Sequence, residues 1–261
     1  MKKYTANSSL KKLKVLKSAE DEAFYKEVIR DPYLNIPKSK QAQLIKEASK
    51  VVESAWGKFP ETYLKNSILK SKYLLLLRNK DHKLIGVAPV KYIKIDGRHV
   101  YSFGLTVVDP DYQGLGFMKM MHAQIGRRVF VENILRLRSR VEFVFITPNI
   151  RTIGALAKIA NFMYPNPYQI NKKGKVKDAD KETWETVNLF LEATNETFRK
   201  LDKNGCVMIG FYDDKPELIQ KEQENVPDKM LKDFASNYLK PGNEVVVRST
   251  ISVWGLFRSG F

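Results

Sequence analysis

The feature that most constrains this chain is a change of hydrophobic period at a pair of glycines. From His99 to Val108 apolar and polar residues alternate as in a half-buried strand. His99, Tyr101, Phe103, Leu105 and Val107 fall on one side, and Val100, Ser102, Thr106 and Val108 on the other. The run Asp109-Pro110-Asp111-Tyr112-Gln113-Gly114-Leu115-Gly116 follows, and then Met118, Met121, Ile125 and Val129 recur at helical spacing. Pro110 ends the strand by removing a ladder donor. Gly114 and Gly116 lack a Cβ, so the backbone there can take positive φ and come close to a ligand. The first N–H groups of a helix have no intrahelical partner and lie at the positive end of its dipole, so this strand, turn and helix can hold a phosphate group. A tight β-to-α connection with no ligand has the same appearance.

Upstream, Leu13 to Lys17 reads as a short strand, and Ser18-Ala19-Glu20-Asp21 as a capped, acidic start to a helix reaching about Arg30. Asp31 to Pro37 breaks it. A second helix is expected from about Ser39 to Ser54, burying Leu44, Ile45, Ala48, Val51, Val52 and Ala55. Three strands come next, Tyr73 to Arg78, Leu84 to Ile95 and Arg98 to Val108, with Asp96-Gly97 as a tight hairpin turn. Gly104 inside the third suggests a bulge or a close backbone approach.

Beyond the glycine-turn helix, Glu142 to Thr147 reads as a strand and Ile150 to Asn161 as a helix. A strand, helix and strand in that order make the third and fourth long strands parallel neighbours. Further on, the expected elements are a helix from Trp184 to Leu201, a strand from Cys206 to Phe211, a helix from Pro227 to Leu239 and a final strand from Glu244 to Val253.

The 261 residues carry 45 Lys+Arg against 29 Asp+Glu, net +16, which favours polyanionic partners such as nucleic acid or a phosphate-rich cofactor. The excess is dispersed, with clusters at Lys2 to Lys17, Arg127 to Arg140 and Lys172 to Lys177. One cysteine, Cys206, excludes an intrachain disulfide and suits a reducing compartment. The first residues lack an apolar signal core, and Leu74 to Leu77 is far too short to cross a bilayer. A cytoplasmic protein with no membrane partner is expected. Three histidines and one cysteine without paired spacing offer no structural zinc site. His122 falls among core methionines, and Cys206 reads as a small core residue.

The order of elements, with VVDPDYQGLG joining the third strand to its helix and TPNIRTIGALAKIANFMYP after the next strand, resembles the GNAT superfamily of acyl-CoA N-acyltransferases. The resemblance covers about Leu13 to Pro165. It implies an α/β mixed sheet, an antiparallel meander followed by a parallel crossover, with helices on both faces. The expected organisation is a single domain with a core at about 13–165 and a C-terminal elaboration at about 166–261.

In that family the glycine turn reads Gln/Arg-x-x-Gly-x-Gly/Ala; here Gln113 and Gly116 match, and Met118 stands where a small residue is usual. The resemblance implies acetyl-CoA or another acyl-CoA as cofactor. Its pyrophosphate would lie on Gln113, Gly114, Leu115, Gly116, Phe117 and Met118, its pantetheine arm along Leu105, Thr106, Val107 and Val108, with Asn149 as a further contact. The arginines from Arg127 to Arg140 are candidates for its 3′-phosphate. A neutral primary amine, on a small molecule or a peptide, would attack the thioester and lose a proton to a base. The family's strand glutamate and helix tyrosine are absent, leaving Asp109 as candidate base and Tyr164 as candidate acid. A nucleic-acid-binding or nucleic-acid-modifying protein on the same fold, or a catalytically silent interaction module, stays open.

Overall fold

The computed structural model describes residues 11–13, 24–171, 174–194, 200–202, 204, 206–209, 226, 228–240 and 242–258. The chain divides into two compact units, residues 1–91 with 104–125, and residues 92–103 with 126–261.

In the first unit the strands β1 (Lys11–Leu13), β2 (Phe24–Arg30), β3 (Tyr73–Arg78) and the first part of β4 (Leu84–Ile95) lie side by side, all antiparallel. The short β6 (Val107–Val108) pairs with the other side of β4, Val107 facing Val87 and Val108 facing Gly86. The leucine run of β3 is buried on both faces, which requires helices on both. Leu74, Leu76 and Val87 pack on α2 (Lys38–Trp56) and α3 (Glu61–Leu69) through Leu44, Ile45, Ala48, Val51, Val52, Leu64 and Ile68. A four-residue helix, α1 (Pro32–Asn35), leads into α2. The opposite face carries Phe24, whose ring lies 4.7 Å from Phe117 at the start of α4 (Phe117–Leu135).

In the second unit the end of β4 turns back through Asp96 and Gly97, both at positive φ, into β5 (Arg98–Phe103). The order then runs β5, β7 (Arg140–Thr147), β11 (Glu244–Ser252), β10 (Val207–Ile209) and β9 (Lys200–Leu201), with β8 (Phe162–Tyr164) also on β11. β5 and β7 are parallel, Val100 facing Glu142 and Tyr101 facing Phe143. One face buries Val100, Val144, Met208 and Val246 against Val187, Phe190 and Leu191 of α6 (Lys181–Thr194). The other holds Tyr101, which bonds to Glu132 and Asn133 of α4. Elsewhere in this unit α5 (Ile150–Ala157) packs on α7 (Lys229–Tyr238), where Leu231 fills the space that a Cβ on Gly154 would take, and α8 (Val253–Arg258) follows β11.

Several expectations change. Residues 24–30 form a strand and no helix, because the apolar edge of β3 takes a partner from Tyr25↔Arg78 to Arg30↔Tyr73; Ser18 to Ala23, and Lys14 to Lys17 of the expected first strand, lie outside the described residues. The strand expected from Arg98 to Val108 is two strands, separated at Gly104 to Thr106. The buried row of α4 is Phe117, Met121, Ile125 and Val129, and Met118 is 36% exposed. α5 spans Ile150–Ala157 and stops short of the expected Asn161, and Leu201, the expected end of the next helix, lies in β9. Asn195 to Arg199, and Gly210 and Phe211 of another expected strand, are also outside the described residues.

Candidate functional site

In the first unit the candidate residues Leu105 to Met118 form one continuous path. Gly104 donates its N–H to Pro89 O at 3.1 Å, after which Leu105 and Thr106 leave the ladder. Both are buried, and Thr106 Oγ1 has no hydrogen-bond partner among the described residues. A buried hydroxyl without a partner is costly, which makes Thr106 a candidate contact for a polar group of a ligand. Pairing resumes at Val107 and Val108 and ends with Asp109 N donating to Ile85 O at 2.8 Å.

The turn that follows is braced by its own side chains. The Asp109 carboxylate accepts from Asp111 N at 3.2 Å and lies 3.6 Å from Lys83 Nζ. Tyr112 accepts from Asn79 Nδ2 at 3.3 Å and meets the Phe24 ring edge-on at 6.1 Å. Gln113 donates from Nε2 to Val108 O at 3.0 Å, tying the turn back to the strand that feeds it.

Gly114 and Gly116 then take φ of +80° and +78°. A Cβ on either would meet nothing within 4 Å, so it is the backbone conformation that calls for glycine, and the ground above it is open. Gly116 O accepts the first α4 bond, from Met120 N at 3.0 Å. The N–H groups of Phe117, Met118 and Lys119 precede that bond and stand at the positive end of a 19-residue helix. Phe117 is buried against Phe24 while Met118 is exposed, so the larger residue at the third motif position points away from the core. A helix N-terminus, a φ-positive turn with open space beside it and a buried hydroxyl with no partner among the described residues fit a ligand with a phosphate group and a hydrogen-bonding arm.

The other two candidates belong to the second unit. Asn149 caps α5: its Oδ1 accepts from Thr152 N at 3.0 Å, and its own N–H donates to Thr147 Oγ1 at 3.1 Å. Tyr164 lies on β8, where its hydroxyl donates to Asn204 O at 2.5 Å. Burial, and then the neighbouring Cys206, push its pKa up, so the phenol holds its proton firmly. Cys206 is itself buried, and burial pushes its thiol up. Asp109 and Tyr164 are thus both engaged in hydrogen bonds, each within its own unit.

Sequence reading missed several buried polar groups. Tyr101, fully buried, donates to Glu132 Oε2 and accepts from Asn133 Nδ2, both at 3.1 Å. Arg248, 5% exposed, reaches Glu142 at 2.8 Å and Glu182 at 2.5 Å, and Arg98 joins the same two acids. The available signal was polar residues on faces whose period is otherwise apolar, as with Glu132 and Asn133 beside Val129. The bracing roles of Asn79 and Lys83 had none, since they come from a turn distant in sequence.

The fold is thus mixed α/β, with antiparallel strands in the first unit and the parallel pair β5 and β7, joined through α4, in the second. Solved structures similar to the chain include GNAT N-acetyltransferases. A GNAT family acetyltransferase from Staphylococcus aureus is 16% identical over 40% of this chain and 76% of that one, with a TM-score of 0.30. The ribosomal-protein-S18-alanine N-acetyltransferase of Escherichia coli is 9% identical over 87% and 94%, with a TM-score of 0.38. An Escherichia coli GNAT family N-acetyltransferase in complex with CoA is 12% identical over 54% and 66%, with a TM-score of 0.32. No protein-family model and no curated protein sequence matches the chain. Among the described residues no helix is long and apolar enough to cross a membrane.

Proposed function

We propose that this chain is an acyl-CoA-dependent N-acyltransferase that moves an acetyl group from acetyl-CoA to a primary amine of a small molecule or peptide. The observation that carries the reading is the path through the first unit, where a broken strand, its Thr106 hydroxyl without a hydrogen-bond partner among the described residues, leads into a φ-positive glycine turn at the N-terminus of α4. Acetyl-CoA supplies the acyl thioester. The N–H groups from Gly114 to Met118 would hold its pyrophosphate. Leu105 to Val108 would pair with the amides of its arm, Thr106 contributing its hydroxyl. Asn149 is a further proposed contact.

In this reading the neutral amine nitrogen attacks the thioester carbonyl carbon and the C–S bond breaks. The amine proton passes to a base and a proton returns to the leaving thiolate. Asp109 and Tyr164 are the proposed acceptor and donor. Each must first exchange a hydrogen bond it already makes, Asp109 with Asp111 N and Tyr164 with Asn204 O.

The test is a calorimetric titration of the protein with acetyl-CoA at low and high salt, beside ATP as a charge control. Saturable binding that survives salt and is not matched by ATP is expected. Absent binding, or binding that ATP reproduces, would reduce the glycine turn to a scaffold connection.

A further inference from the structure

In the second unit the end of α4 and the residues just after it expose an apolar strip. Val131, Ile134, Leu135 and Leu137 are 52%, 39%, 78% and 95% exposed, and Trp254 of α8 is 64% exposed. At about 100° per residue, Arg127, Arg128, Val131, Ile134 and Leu135 share one sector of the helix, while Val129 and Asn133 on the opposite side are buried. Trp254 continues the strip, because its ring meets Phe130 edge-on at 6.2 Å and Val253 N donates to Ser139 O at 3.0 Å.

The end of the helix adds an independent observation. Arg138 N donates to Asn133 O and Leu137 N to Ile134 O, both at 2.9 Å, the pattern of a helix end that ordinarily carries glycine at the left-handed position. Here that position is Leu137, at φ +54°. A branched side chain is thus held against its backbone preference and almost fully in water.

Charge selects the occupant. Arg127 and Arg128 at one end of the strip and Arg140 at the other are exposed and make no ion pair among the described residues. Arg136 and Arg138 donate to the Tyr92 hydroxyl, and Arg136 pairs with Glu132 at 2.7 Å. A second copy of this chain would set arginine against arginine. Nucleic acid would use the charge and leave the apolar strip wet. The convex strip spans about 12 Å from Arg127 to Leu135, two turns of helix, with cations at its ends.

We infer that this face docks an acidic amphipathic helix of a protein partner, its apolar stripe on Val131, Leu135, Leu137 and Trp254 and its acids on the terminal arginines.

The probe is a fluorescein-labelled peptide of about 14 residues, long enough for two docked turns with a flanking turn at each end. It carries leucines at i, i+3, i+4 and i+7 and glutamates in its first and last turns, and is set beside a scrambled peptide of the same composition. Fluorescence anisotropy with the full chain at about 0.15 M salt, where exposed charges are screened beyond about 8 Å, is expected to show the ordered peptide binding about tenfold tighter than the scrambled one. Leu135→Ser with Leu137→Asn, and separately Arg127→Glu with Arg128→Glu, should each weaken it about tenfold at an unchanged melting temperature. Asn suits a left-handed position, so the first pair keeps the helix end intact. Equal affinity for both peptides, no binding of either, or affinity unchanged by the leucine pair overturns the inference. A dimer that sediments as monomer once Leu137 is replaced overturns it in favour of a second copy. Binding to phosphatidylglycerol vesicles that needs the same leucines, without discrimination between the peptides, overturns it in favour of a lipid surface.

Discussion

Gly116 is the residue on which the cofactor reading turns. Its φ of +78° and the open space beyond it mean that a side chain there would meet no neighbour, so Gly116→Asp should fold with a conformational cost of about 1 kcal/mol. Its carboxylate would stand at the N-terminal amides of α4, where the proposed pyrophosphate would lie. Loss of measurable acetyl-CoA affinity in calorimetry is expected, with circular dichroism unchanged; full affinity in a folded variant would remove this turn from the site. His122 makes a separate prediction about pH. Burial pushes its pKa down to about 4, so the folded protein binds that proton less well than the unfolded chain, whose value is near 6.5. Its contribution is intact above about pH 6.5 and is lost as pH falls towards 4, by up to about 3 kcal/mol. Urea midpoints at pH 7 and 4.5 should therefore converge more closely in His122→Gln than in wild type, and an identical acid loss in both would assign it to other groups.

Among the elements, those set by local pattern matched their expected bounds: β3 and β4 begin and end where the leucine run, the Asn79 to Lys83 turn and Asp96-Gly97 place them. β2 was not legible, because Ser18 to Asp21 is a sound local helix start and only pairing with β3 draws Phe24 to Arg30 into a strand. The break at Gly104 was visible as a glycine out of pattern, but the unpaired Leu105 and Thr106 beyond it depend on β6 joining β4. The contact between β4 and α4 in the first unit is tight at Gly86, where a Cβ would come within 3.3 Å of Leu77 Cβ and Met121 Sδ and 3.4 Å of Val107 O. Met121 can turn aside, but the strand atoms cannot. Gly86→Ala should cost about 1–3 kcal/mol in chemical denaturation. An unchanged midpoint would show that α4 can shift to admit a methyl group.

For the whole molecule, a net charge of +16 draws any polyphosphate, and a Debye length near 8 Å at physiological salt separates that attraction from a built site. ATP binding should therefore fall away with salt, while acetyl-CoA binding, if the proposed site at Gly114 to Met118 and Leu105 to Val108 holds it, should keep a salt-resistant part. The sequence by itself determined the hairpin at Asp96-Gly97, the glycine turn, the buried stripe of α2 and the parallel crossover, because hydrophobic period, φ preference and connection length act within a few residues. Tertiary structure alone decided that residues 24–30 pair as a strand, that Thr106 has no hydrogen-bond partner among the described residues, that Tyr101 and Arg248 are buried with their acids, and that Leu135 and Leu137 face water. Each of those outcomes depends on groups brought together from distant parts of the chain, and no local rule counts the partners a residue will meet there.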